Sequence, residues 1–176
     1  MRARRIENEW HLLESLRQSN SDRLQLARDG DHFALEVDGL PALVRAPGDG
    51  GTAEEAISSH HSLRIIFPRY YPTMPAEVYL RATVFHPNVN PDTGFVCLWT
   101  KHHVETTLER TLAQLQRVLA WVLVNADPEH VMQRDALLWF TQRVSRIHLP
   151  LDFIPFTPVY PHAWDFGAPP LRRRLS

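Results

Sequence analysis

The stretch FPRYYPTMPAEVYLRATVFHPNVNPDTGFVCLW, residues 67–99, decides how the rest of the chain is read. Tyr71-Pro72 and Pro75 predict a rigid turn between two strands, because each proline fixes φ and removes a backbone donor. His86-Pro87-Asn88 predicts extended backbone leaving the second of those strands, since a residue before proline avoids the α region. Asn90-Pro91-Asp92-Thr93-Gly94 is dense in turn formers. Cys97 follows Asn88 by nine residues. A chain reversal at that turn would bring a side-chain amide and a thiol onto one irregular surface.

Such a pair has a chemical use. A thiolate is a nucleophile, and its acyl derivative is a reactive thioester. When an amine attacks the thioester, an oxyanion develops, and a fixed amide donor stabilises it by ~2.7–4 kcal/mol. The plainer alternative is that Asn88 holds its turn by bonding backbone groups.

Outward from this stretch, residues 4–17 place Ile6, Trp10, Leu13 and Leu16 or Arg17 at helical spacing, which predicts an amphipathic helix with a basic start. Residues 32–44 alternate through Phe33, Leu35 and Val37 to Leu43 and Val44, with Gly39-Leu40-Pro41 interrupting. Ala46 to Ser58, with Pro47, Gly48, Gly50 and Gly51, predicts a loop. Residues 61–67 and 77–85 predict two further strands, and the short connections suggest an antiparallel meander. After residue 105 the period changes. Leu108, Leu112, Leu115, Leu119 and Val122 predict a long helix ending before Asp127-Pro128, and a second helix is expected over about 130–147. Helix, strands, helices is the α+β class. From Pro150 prolines exclude helix. The interleaved Phe153, Ile154, Phe156, Tyr160, Trp164 and Phe166 predict an extension, 150–176, pinned to a body of residues 1–149 up to about residue 166.

The chain has 176 residues, 44% hydrophobic and 22% charged, with a formal net charge of -1. That suits a single globular domain and lacks the basic excess of a nucleic-acid binder. A single cysteine permits no intramolecular disulfide. Met1 to Leu16 is charged and unlike a signal peptide. No apolar run approaches the ~20 residues of a membrane helix. The expectation is a cytoplasmic protein whose lone thiol stays reduced.

The central stretch resembles the core of ubiquitin-conjugating enzymes. Phe67-Pro68, Tyr71-Pro72, Pro75, His86-Pro87-Asn88, Gly94 and Cys97-Leu98 match that family's motifs in order and near the usual spacing. With flanking elements the resemblance covers about residues 4–147. It implies the ubiquitin-conjugating fold: N-terminal helix, meander sheet, active-site loop, C-terminal helices. It also implies that Cys97 accepts a ubiquitin-like protein as a thioester from an activating enzyme and passes it to an amine of a target protein. Asn88 would serve as the oxyanion donor or loop organiser, and His86 would fix the loop. Arg4 and Arg5 would lie where the family docks its activating enzyme. No cofactor or metal is implied, because the activating enzyme consumes the ATP.

The chain also departs from the family. The turn before Cys97 is one residue longer, Trp99 follows Cys97-Leu98, and Lys101 to Thr107 replaces the usual tryptophan-serine-proline segment. These departures, with the Arg- and Ala-rich composition, resemble divergent bacterial members found in antiviral defence operons. Family members often place an acid near the thiol; Asp127 and Glu129 are candidates, with a helix stop and turn as the plainer reading. His102 and His103 are alternative local bases. A rival reading is a non-catalytic binding module of the same fold. The RWD version carries tyrosine-proline-x-x-x-proline, where this chain has Tyr71-Pro72-x-x-Pro75. A zinc hydrolase would favour a motif such as H-E-x-x-H, which is absent. A cysteine hydrolase would need an oriented histidine beside Cys97.

Overall fold

The computed structural model describes residues 1–47, 53–143 and 148–159. Helix α1 spans Arg2–Ser19 and buries Ile6, Glu9, Leu13 and Leu16 along one face. Strands β1 (Leu24–Asp29), β2 (His32–Pro47), β3 (Ala53–Ile66) and β4 (Glu77–Leu80) follow. They pair antiparallel in the order β1-β2-β3-β4, the expected meander. Helices α2 (Leu108–Leu119) and α3 (Arg134–Arg143) complete the α+β fold. Phe33, Leu35 and Val37 of β2, Leu63 and Ile65 of β3, and Val78 and Leu80 of β4 share a buried core with α1 and α2. Alternation along a strand sends their neighbours to the opposite face. A second cluster joins Leu43, Phe85, Trp121, Trp139 and Leu151.

Several boundaries differ from those expected. β1 was not anticipated: its face is largely exposed beyond Leu24, so the alternation is weak. Its signal was Gly30, at φ 57 in the two-residue turn between Asp29 and His32, a conformation tight hairpins demand. β2 runs through Gly39-Leu40-Pro41 as a register shift between Asp38 and Ala42, and a bulge is where a sheet tolerates proline. The loop expected over Ala46 to Ser58 is mostly strand, with β3 beginning at Ala53; Gly48, Gly50 and Gly51 lie outside the described residues. β4 stops at Leu80, and Val84 instead bridges to Val44. α2 ends at Leu119 because Trp121 adopts φ 63. That reversal turns the indole into the second cluster, against the rings of His86, Trp139 and Phe140. α3 starts at Arg134, because Met132 and Gln133 bond to the His86-Pro87 backbone. The last residues of the helix expected over about 130–147, including Val144 and Ile147 at its inward spacing, lie outside the described residues.

Two polar devices lock these elements together. The Glu9 carboxylate, 2% exposed, accepts from Arg5 Nε (2.8 Å), Tyr71 Oη (3.0 Å) and the Leu108 amide (2.7 Å). An anion at the start of α2 meets unpaired helix amides, so it stabilises that terminus while anchoring α1 and the Tyr71-Pro72 turn. Burial, and then the Glu9 charge, push the Tyr71 hydroxyl pKa well up. The second device ties down residues 149–159. Asn20 donates to Thr157 O (3.0 Å) and accepts from Thr157 N (2.8 Å). Gln116 accepts from Phe156 N (3.2 Å), and Glu109 accepts from Val159 N (2.7 Å). Phe156 is buried in the main core and Leu151 in the second. Tyr160, Trp164 and Phe166 lie outside the described residues.

Candidate active site

The hairpin from Asn88 to Cys97 is built by its turn residues. The Asn90 side chain accepts from the amides of Asp92 and Thr93, both at 3.0 Å, and Gly94 N donates to Asn90 O (2.9 Å). Gly94 sits at φ 74, and a Cβ there would lie 2.0 Å from Leu80 O, so glycine is obligatory. Beyond the turn, Asn90 N donates to Phe95 O (2.8 Å), Val89 bridges to Val96, and Cys97 N donates to Asn88 O (2.8 Å). The expected chain reversal therefore forms, and Cys97 faces Asn88.

Asn88, 8% exposed, clamps two loops. Its Nδ2 donates to Cys97 O (2.9 Å) and its Oδ1 accepts from Asn125 N (2.7 Å). An amide has two N–H groups; the second has no protein partner among the described residues. The side chain thus has a structural duty and one donor left over. Asn125 reaches it because the Trp121 reversal turns residues 122–125 back toward the cysteine.

His86 lies beneath this clamp, fully buried. Its Nδ1 accepts from Asn88 N (3.1 Å), its own amide donates to Gln133 Oε1 (2.8 Å), and its ring packs edge-on against Trp121, centroids 4.4 Å apart. Burial alone drives its pKa down to about 3. With Nδ1 occupied and the charged form excluded, the imidazole holds the loop and is unsuited to proton transfer at neutral pH.

Cys97 is partly exposed between two clefts. One, of about 200 Å³, is lined by Asn88, Lys101, Gln114, Val118, Leu123 and Asn125. The other, of about 190 Å³, is more apolar, with Met74, Pro75, Glu77, Phe95 and Trp99. Gln114 of α2 donates to Leu98 O (3.1 Å) and fixes the strand on the helix side. No histidine lines either cleft, so the oriented base of a cysteine hydrolase is missing among the described residues. His102 bonds Pro72 O through Nε2 (2.8 Å). His103 is exposed. Asp127 accepts from Glu129 N (3.0 Å) and pairs with His130 (2.7 Å). Those contacts hold its carboxyl below the usual range, the Glu129 amide bond most of all. Neither Asp127 nor Glu129 lines a cleft at Cys97.

Arg4 is exposed. Arg5 is not free: besides Glu9 it donates to Glu105 O (3.4 Å) and Thr106 O (3.2 Å). Sequence reasoning missed Asn125, Gln114, Gln133 and Glu9. Their roles come from pairings between segments distant in the chain, which no local pattern carries. Among the described residues no group of three or more His, Cys, Asp or Glu could hold a metal, and no helix is long and apolar enough to cross a membrane.

The chain is similar to known proteins in sequence and in fold. Residues 57–145 match the family model described as ubiquitin-conjugating enzyme. The chain is 30% identical over 126 residues to the ubiquitin-conjugating enzyme E2-18 kDa of Drosophila melanogaster, covering 70% of this chain and 74% of that one. Among solved structures, a Trypanosoma cruzi protein assigned to the ubiquitin-conjugating enzymes superposes with a TM-score of 0.58 at 18% identity, over 81% of this chain and 91% of that one. A Toxoplasma gondii ubiquitin-conjugating enzyme domain gives 0.50 at 20% identity, over 77% and 88%. These two establish likeness of fold.

Proposed function

The chain belongs to the ubiquitin-conjugating enzymes, a family of thioester-forming transferases, and from that premise we propose that Cys97 is the acyl carrier and Asn88 the residue that organises its loop and assists transfer. Family membership implies a ubiquitin-like protein and an activating enzyme as partners in general terms. In the specific reading, Cys97 attacks the activated C-terminal carboxyl of the ubiquitin-like protein, and a target amine then displaces the sulfur. One observation carries this reading: the chain's single thiol is partly exposed between two clefts and backed by an amide with one uncommitted N–H. His86 serves as a neutral brace. Asp127 caps its own turn, so the amine's proton leaves to solvent or to the departing sulfur. Arg4 remains the better candidate for docking the activating enzyme, since Arg5 is engaged by Glu9.

The reading extends to a bacterial member acting in antiviral defence, supported by the longer turn before Cys97, Trp99 and the altered segment from Lys101 to Thr107. Neighbouring genes for an activating enzyme, a ubiquitin-like protein and a deconjugating metalloprotease would support it. A phage challenge in which Cys97→Ala plates like wild type would count against it.

The biochemical test uses the matched activating enzyme, ubiquitin-like protein and ATP. Wild type gives a reductant-sensitive adduct on gels, Cys97→Ala gives none, and Cys97→Ser gives a reductant-resistant ester. Equal adducts from wild type and Cys97→Ala would remove Cys97 from the reaction.

A further inference from the structure

The chain carries eighteen arginines and one lysine, and that lysine, Lys101, lines the same cleft as Cys97. We infer that Lys101 is an internal acceptor of the acyl group carried on Cys97, and so a self-modification site of this enzyme. The inference rests on the reading of Cys97 as acyl carrier.

Arginine and lysine carry the same charge but differ at a thioester. A guanidinium stays protonated in proteins and has no lone pair to offer, whereas an ammonium can lose a proton and attack as an amine. A chain whose cations are otherwise all arginine is protected against acylating its own side-chain amines everywhere but at Lys101. That exception stands four residues from the thiol.

The backbone on both sides of Lys101 is anchored. Leu98 O accepts from Gln114 Nε2 (3.1 Å) and His102 Nε2 bonds Pro72 O (2.8 Å). The segment therefore cannot swing away from Cys97. The Lys101 side chain is exposed and makes no ion pair or hydrogen bond among the described residues. Tethered near the thioester with a free amine, it gains the advantage of an intramolecular reactant.

The step balances without a co-reactant. The neutral Nζ attacks the thioester carbonyl carbon, the C–N bond forms, the C–S bond breaks, and an amine proton goes to the departing sulfur. The products are an amide on Lys101 and a free Cys97 thiol. Because the acyl chain then stays fixed in the cleft beside Cys97, it obstructs the next round of charging. The enzyme would thus retire itself when no target amine competes.

A small probe tests this on the whole chain: the 2-mercaptoethanesulfonate thioester of N-acetyl-glycylglycine, whose blocked amine cannot cyclise onto the thioester and which can exchange onto Cys97 without an activating enzyme. Intact and peptide mass spectrometry, before and after hydroxylamine, separates thioester from amide. Expected is a hydroxylamine-labile N-acetyl-glycylglycyl group on Cys97 that converts to a resistant group on Lys101. Lys101→Arg should lack the resistant group and hold the labile one longer, on the order of tenfold, and Cys97→Ala should leave Lys101 unmodified. Equal decay of the Cys97 thioester in wild type and Lys101→Arg would overturn the inference while leaving the carrier reading intact. So would resistant product on the Met1 amine instead, or Lys101 acylation persisting in Cys97→Ala. Failure of Cys97 to take up the group, while a cysteine peptide in the same tube does, would overturn both.

Discussion

Replacing Asn88 with alanine separates structural duty from chemistry. The variant loses the 2.9 Å bond to Cys97 O and the 2.7 Å bond from Asn125 N, and strands both backbone partners. An unsatisfied buried group costs ~1–3 kcal/mol. These two are only partly buried, so the pair should cost about 2–3 kcal/mol near the low end of that range. For a chain of this size that is a fall in melting temperature of roughly 5–10 °C. Chemistry is affected separately. Charging needs only the sulfur and should persist. Discharge to free lysine should slow by ~10²-fold or more if the spare N–H meets the oxyanion. Thermal melts read the first effect; single-turnover discharge of pre-charged enzyme, after removal of ATP, reads the second. Slowed discharge with full stability would leave only the oxyanion role, and lowered stability with normal discharge only the clamp. A melting temperature within about 1 °C of wild type, together with unchanged discharge, would refute both.

The remaining expectations concern the frame around the site. His86 has a folded pKa near 3 against an ordinary 6.5, so the native state binds fewer protons than the unfolded one. Its contribution is complete above pH 6.5 and falls as pH drops toward 3, by up to about 1.4 kcal/mol per pH unit. Burial lowers the His61 pKa as well, adding in the same direction. Between pH 6.5 and 5, His86→Leu should therefore show a shallower dependence of unfolding free energy on pH than wild type, and equal slopes would contradict the buried neutral ring. Gly94→Ala forces a Cβ to 2.0 Å from Leu80 O at positive φ. It should cost about 2–5 kcal/mol and raise the reactivity of Cys97 toward a thiol reagent; a melting temperature unchanged within ~2 °C would count against the tight turn. Phe156→Ala removes a side chain 2% exposed in the main core, at ~3–5 kcal/mol, read by denaturant unfolding; a loss under about 1 kcal/mol would mean residues 149–159 are not part of the folded body.

Much of this architecture is legible in the sequence, and the failures have physical causes. Proline and glycine punctuation around Tyr71-Pro72, His86-Pro87-Asn88 and Gly94 located the reversal at Cys97, because those residues act through their own backbone. The α2 face is legible from Leu108 to Leu119, but the periodicity runs on to Val122 while the helix does not. What stops it is the Trp121 indole reaching a core made by distant segments. Arg5 is expected beside Arg4 on the docking face, and its engagement with Glu9 is not legible because nothing local reveals that Glu9 also receives Tyr71 and the Leu108 amide. Asp127 was a candidate acid by position, yet its oxygens serve the Glu129 amide and His130. β1 was lost because only Leu24 is fully buried in it.

The most direct measurement is the intact mass of the protein after incubation with its activating enzyme, ubiquitin-like protein and ATP. Expected at the earliest time point is one added ubiquitin-like chain less one water, mapped to Cys97, lost on adding reductant, and absent from Cys97→Ala. An adduct of that mass that survives reductant from the earliest time point, or forms equally in Cys97→Ala, would contradict Cys97 as the acyl carrier.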